Sequence, residues 1–189
     1  MYFNIRDKLF SFVFKLIYSK KFKKLGSSSH IFFPSRIDHP ECISVGLNVH
    51  IEHGCQLSVH DLSGELLVSD GVKLGKYNHI YSCNKIVIES NVLTANGVYI
   101  SDNLHGYKDI SVPIMTQDLV IKKAVTISEG AWIGHNVCII GASIGRNSVV
   151  GANSVVLADI PDYCVAVGAP AKVIKRYDLS ERVWKNVGE

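Results

Sequence analysis

Aliphatic residues recur at every sixth position along much of this chain. The clearest run is Ile127, Ile133, Ile139, Ile144, Val150 and Val156, with steps of six, six, five, six and six. Four places after an aliphatic residue comes a small or β-branched one: Ala131, Val137, Ser148 and Ser154. The same period runs through Val45, Ile51 and Leu57, through Val68, Leu74 and Ile80, and through Ile88, Thr94 and Ile100. Neither a helical period of about 3.6 nor a strand alternation of about 2 sustains such a pattern. A solenoid of triangular coils does. One short strand plus its corner takes six residues, the aliphatic side chain points into the interior, and the small residue fits the corner. Asparagines at Asn48, Asn91, Asn136, Asn147 and Asn153 suit corners, because Asn tolerates the left-handed backbone angles that turns demand. A single coil cannot bury its own core, so such a fold is held together by coil stacking on coil. The five-residue step near Gly141 reads as an adjusted corner.

Two kinds of segment break the period. The stretch from Leu104 to Val120 lacks it and holds Gly106 and Pro113, which predicts a loop protruding at about residues 104–120. Residues 1 to about 25 set Phe3, Leu9, Phe10, Val13, Phe14, Leu16 and Ile17 among lysines, which predicts a helical segment. Residues Leu179 to Val187 read as a short closing helix that starts near Asp178 or Ser180. The expected organisation is a helical segment at 1–25, a β-solenoid at 40–176 and a tail at 177–189. Two roles are open to the first segment: capping the exposed strand edges of the first coil, or lying on an anionic membrane surface.

Composition narrows the setting. With 47% hydrophobic and 20% charged residues the chain is globular and not disordered. A formal charge of +3 is too small to predict a nucleic-acid partner. The basic surplus is local: Arg6, Lys8, Lys15, Lys20, Lys21, Lys23 and Lys24 are opposed in that segment only by Asp7. The cysteines Cys42, Cys55, Cys83, Cys138 and Cys164 are odd in number and contain no CxxC pair, as expected of free thiols in a reducing, cytoplasmic compartment. The early apolar run Leu9–Phe14 is short, contains Ser11 and meets Lys15, so no signal peptide is expected. No stretch approaches the ~20 apolar residues of a membrane span. Membrane contact, if any, is then peripheral, on the inner face and through residues 1–24.

Three stretches and a tail carry a family resemblance. They are Asn91-Val-Leu-Thr-Ala-Asn-Gly-Val-Tyr-Ile-Ser101, Ala131-Trp-Ile-Gly-His135, Val150-Gly-Ala-Asn-Ser-Val-Val-Leu-Ala-Asp-Ile-Pro161 and the closing Val167-Gly-Ala-Pro-Ala-Lys-Val-Ile-Lys175. From about Val45 to Arg176 the chain resembles the hexapeptide-repeat acetyltransferases. It is most like the branch of galactoside and maltose acetyltransferases and the sugar O-acetyltransferases of surface-polysaccharide gene clusters. The resemblance implies an all-β, left-handed parallel β-helix, acetyl-CoA as co-substrate, a carbohydrate acceptor, and a homotrimer with active sites between subunits.

It also implies residue roles. Matching Asn91 to Ser101 without gaps puts the family's catalytic histidine at His105, in Asp102-Asn-Leu-His-Gly-Tyr107. A sugar hydroxyl is a poor nucleophile at neutral pH, and a neutral imidazole can take its proton during attack on the thioester. Many relatives read His-x-His-Gly-Tyr here. This chain has Asn103 at the first of those positions, which leaves His105 the only base in the motif. Asp102, Asn103, Tyr107 and His79 are the expected acceptor-side residues. Trp132, Gly134, His135, Gly151 and Ala152, with Lys172, Lys175 and Arg176 for the phosphates, are the expected coenzyme A contacts. Relatives often carry a lysine at the corner before Asp159, where this chain has Leu157-Ala158. No metal is expected: His50 and His53 are close in sequence, but a zinc site of the γ-carbonic anhydrase type needs a third histidine at suitable spacing. N-acetylation of an amino-sugar nucleotide, acetylation of a drug, and a silent trimeric scaffold stay open beside the sugar O-acetyltransferase reading.

Overall fold

The computed structural model of the chain describes residues 5–187; Phe3, read above as part of the helix, lies outside them. The six-residue period becomes the core. Every residue of the four aliphatic runs is buried, none more than 2% exposed, and so are Ala131, Val137, Ser148 and Ser154. Three parallel ladders form the three faces of the solenoid. The first face stacks Lys24–Leu25, Ile43–Val45, Glu65–Val68, Lys85–Ile88 and Val125–Ile127. The second stacks His30–Ile31, His50–Ile51, Lys73–Leu74, Leu93–Thr94, Trp132–Ile133, Val149–Val150 and Cys164–Val167. The third stacks Arg36–Asp38, Gln56–Val59, His79–Ser82, Tyr99–Ser101, Cys138–Ile140 and Val155–Val156.

The register explains the period. On the third face Ile37, Leu57, Ile80, Ile100, Ile139 and Val156 pair in one inward column. Their neighbours Arg36, Gln56, His79, Tyr99, Cys138 and Val155 form the outward column beside it, because side chains alternate along a strand. All five corner asparagines have positive φ, between 48° and 59°. Gly141, at the shortened corner, does too. The buried serines of the fourth place bond corner backbone. Ser148 Oγ donates to the Pro161 carbonyl (2.7 Å) and accepts from Cys164 N (3.0 Å). Ser154 Oγ does the same between Gly151 O (2.7 Å) and Gly168 N (3.0 Å). Each hydroxyl thus satisfies two backbone groups that the corner leaves unpaired.

The solenoid starts earlier than residue 40. The first coil occupies 24–38 and is already in register, with His30 opposite His50 and Arg36 opposite Gln56. It keeps the six-residue step at Leu25, Ile31 and Ile37, and Phe33 beside it meets the N-terminal helix α1 (Ile5–Tyr18). Phe10 of α1 stacks on Phe33 at 3.8 Å, Phe14 enters the core cluster beside Phe22, and Ser11 Oγ lies 3.1 Å from His30 Nδ1. One face of α1 therefore covers the first coil. No helix among the described residues is long and apolar enough to cross a membrane.

The closing helix is not formed. Lys172–Asp178 turns back antiparallel on Cys164–Val167, and Val183–Asn186 pairs antiparallel with it in turn. Asp178 does accept from the N–H groups of Ser180 (2.9 Å) and Glu181 (3.0 Å), as a helix N-cap would. The chain leaves that turn through Arg182 at φ 57° and becomes a strand, with Trp184 edge-on to Tyr177 at 5.3 Å. A segment this short is a marginal helix without packing, whereas the open edge of the second face offers it a ready ladder.

The stacked core makes a stability prediction. Ile133→Ala should cost about 2–5 kcal/mol and the exposed Leu157→Ala under about 0.5 kcal/mol, read from urea unfolding midpoints. Similar losses for both would contradict this packing.

Candidate active site

The site is built where the period stops. After Tyr99–Ser101 the chain leaves the third face as a hairpin, Asn103–His105 against Leu119–Ile121, with His105 opposite Leu119. Gly106 closes it by donating to Asp118 O (3.0 Å), and a Cβ at Gly106 would sit 2.7 Å from that same oxygen. Only glycine follows His105 without pushing the hairpin open. Gln117 ties down the excursion by donating from Nε2 to Asp109 O (2.8 Å). The chain rejoins the prism through Lys122 N, which donates to Asp102 O (2.7 Å).

The hairpin overhangs the outward column of the third face and leaves a groove of about 740 Å³. His105, Asn103 and Asp118 line it from above, and His79, Tyr81 and Tyr99 from below. The His105 side chain is exposed, and among the described residues its imidazole makes no hydrogen bond. His79 stands edge-on to Tyr99, 5.2 Å between ring centres. Burial, with the Arg36 charge adding to it, lowers the His79 pKa and favours the neutral ring. Asn103 is buried, with Nδ2 donating to Asp102 (3.1 Å) and to Tyr81 O (3.3 Å).

Two of the expected acceptor-side residues do not line the groove. Asp102 is 0% exposed. Its carboxylate accepts from Cys83 N (2.7 Å), Asn84 N (2.9 Å), Ser82 Oγ (3.0 Å) and Asn103 Nδ2. With those partners it does not line the groove; it pins the corner of the preceding coil to the root of the hairpin. Tyr107 is exposed, just past Gly106, and does not line the groove. Tyr81 and Tyr99 were missed by sequence reasoning. The signal that finds them is coil spacing: Tyr99 pairs with His79, twenty residues earlier.

The expected coenzyme A residues lie on another face. Trp132 is about half exposed, follows His30, His50, Lys73 and Leu93 in the outward row of the second face, and begins the later column of that row, which continues through Val149 and Val165 to Lys175. Three strand spacings make that column about 14 Å long. Lys172, Lys175 and Arg176 are exposed on the returning strand. His135 and Ala152 are exposed at neighbouring corners. Gly134 is buried, and a Cβ there would meet Ala152 N at 2.7 Å; at Gly151 it would meet Val167 Cγ1 at 2.7 Å. Coil stacking alone therefore demands those two small residues. One chain thus holds His105 beside its third face and the Trp132–Lys175 column on its second. Among the described residues, no group of three or more histidines, cysteines or acids is placed to hold a metal ion.

No family model matches the chain. An Escherichia coli K12 protein, provisionally named the lipopolysaccharide biosynthesis O-acetyl transferase WbbJ, is 35% identical over 162 residues, spanning 82% of each chain. A Mycobacterium tuberculosis protein provisionally named an acetyltransferase is 42% identical over 139 residues, which is 73% of this chain and 45% of that longer protein. Among solved structures, the Bacillus cereus N-acyltransferase AntD, in complex with dTDP and 3-hydroxybutyryl-CoA, aligns with a TM-score of 0.74. That alignment covers 88% of this chain and 89% of the other at 20% identity, a likeness of fold alone.

Replacing Asp102 tests its placement. Asp102→Ala leaves the buried Cys83 N–H and the part-buried Asn84 N–H without an acceptor and should cost roughly 2 kcal/mol or more, since a buried group left unpaired loses about 1–3 kcal/mol. A drop in thermal midpoint of several degrees is expected, and an unchanged midpoint would contradict the bracket.

Proposed function

The chain belongs to the hexapeptide-repeat acetyltransferases, acyltransferases built on a left-handed β-helix, and from that premise we propose that it moves the acetyl group of acetyl-CoA onto a hydroxyl of a sugar in a surface polysaccharide or its precursor. The observation that carries this reading is the exposed His105 imidazole, held over a groove on a glycine-closed hairpin. The O-acetyltransferase name of the E. coli relative supports oxygen, not nitrogen, as the acceptor atom.

The chemistry follows from the groups present. The neutral imidazole of His105 accepts the proton of the sugar hydroxyl as that oxygen attacks the thioester carbon. The tetrahedral intermediate collapses, the carbon–sulfur bond breaks, and the imidazolium returns the proton to the departing thiolate. Transfer is direct. Burial raises the thiol pKa of Cys55 and Cys83 to about 11 and raises that of Cys138 as well, so none of these is a ready nucleophile. The pantetheine arm lies along Trp132, Val149 and Val165, with Gly134, His135, Gly151 and Ala152 at the adjoining corners and Lys172, Lys175 and Arg176 meeting phosphate.

His105 and that column occupy different faces of one prism, so a complete site needs a second copy. We place it between neighbouring chains of a homotrimer, with His105 of one facing Trp132 of the next. A cytoplasmic setting suits acetyl-CoA and the five free cysteines.

Two measurements test this. Thiol release from acetyl-CoA with a panel of sugars and amino sugars should show turnover on a hydroxyl acceptor, and His105→Ala should lower kcat/KM by roughly 10²–10⁴-fold. Full activity in the variant, or transfer to amines alone, would contradict the reading. Sedimentation equilibrium should give the mass of three chains; a monomer that is fully active would refute the shared site.

A further inference from the structure

Helix α1 has two apolar faces, and the solenoid uses one. Phe10, Ser11 and Phe14 turn toward the first coil. On the opposite side Ile5, Leu9, Phe12 and Leu16 recur in steps of four, three and four, which at 3.6 residues per turn makes one stripe. They are 83%, 62%, 58% and 67% exposed, and Val13 and Ile17 widen the stripe. Single exposed aliphatics are ordinary, but a continuous stripe on one helix marks a docking surface.

The charges around it select the partner. Lys8 and Lys15 border the stripe on one side and Arg6 on the other, and Lys20, Lys21 and Lys24 follow directly. The one acid of the helix, Asp7, is turned inward, with its carboxylate 3.3 Å from His53 Nε2. Among the described residues, Lys8, Lys20 and Lys24 form no salt bridge. A second copy of the same helix would bring cation against cation along the borders, where paired helices place opposite charges. An anionic lipid surface instead accepts the apolar stripe and the basic border together.

We propose that α1 docks this protein on anionic membranes, inserting Ile5, Leu9, Phe12 and Leu16 at the headgroup boundary while its other face stays packed on the first coil. The proposal is independent of the acetyl-transfer reading. If the chains form closed trimers, three such helices sit at one height along the axis and bind jointly, which strengthens a weak single contact.

Flotation with phosphatidylglycerol–phosphatidylcholine vesicles, and with phosphatidylcholine vesicles alone, tests it on the full chain. The wild type should float with the anionic vesicles, and added salt should weaken recovery. Leu9→Glu/Leu16→Glu should cut recovery about tenfold or more, and Lys8→Gln/Lys20→Gln/Lys24→Gln should cut it on anionic vesicles. Circular dichroism and acetyl transfer should be unchanged in both variants. Equal recovery on the two vesicle types, or none with either, would overturn the proposal. So would a change in sedimentation mass on Leu9→Glu/Leu16→Glu, because the stripe would then be a contact between copies.

Discussion

The stacking of inward aliphatic columns, coil on coil, is the constraint on which the rest of the molecule depends. Each coil is too thin to bury anything by itself. The column Ile37, Leu57, Ile80, Ile100, Ile139 and Val156 and its counterparts on the other faces remove the core from water only because every strand sits directly over the last. That exactness of register fixes the outward columns as well. His79 lies beside Tyr99, and Trp132 lies in line with Lys175, because the inward residues leave them no other position.

The core was therefore the most legible part of the sequence. The period named its residues, and the corner asparagines announced their own backbone angles. Legibility failed where a residue answers to more than one environment. Phe33 serves both the first coil and α1, and the six-residue step at Leu25, Ile31 and Ile37 beside it was passed over. Asp178 makes the backbone contacts of a helix start and of a tight turn alike, and only the open ladder edge decides between them.

The same distinction runs through the candidate site. His105 was found by motif, and the hairpin that displays it by the loss of period. Asp102 stands three residues from His105 in sequence and was expected on the acceptor side. Burial turns it away, toward the backbone of the preceding coil, and burial is not written in a motif. Gly134 and Gly151 were read as room for a ligand; the stacked coil already needs them small. The groove tyrosines, Tyr81 and Tyr99, are visible only once strands twenty or so residues apart are laid over one another.

The central claim is that the reacting parts are divided between two faces of one chain and are joined only across a subunit boundary. Co-assembly tests it directly. His105→Ala spoils the hairpin, and Trp132→Ala/Lys175→Glu spoils the column, so each variant alone should be nearly inactive. Mixed in equal amounts, random trimers should regain roughly a quarter of wild-type activity, because each mixed trimer holds one intact boundary out of three. No recovery on mixing, with trimers shown to exchange, would mean that each site lies within one chain and would contradict the account.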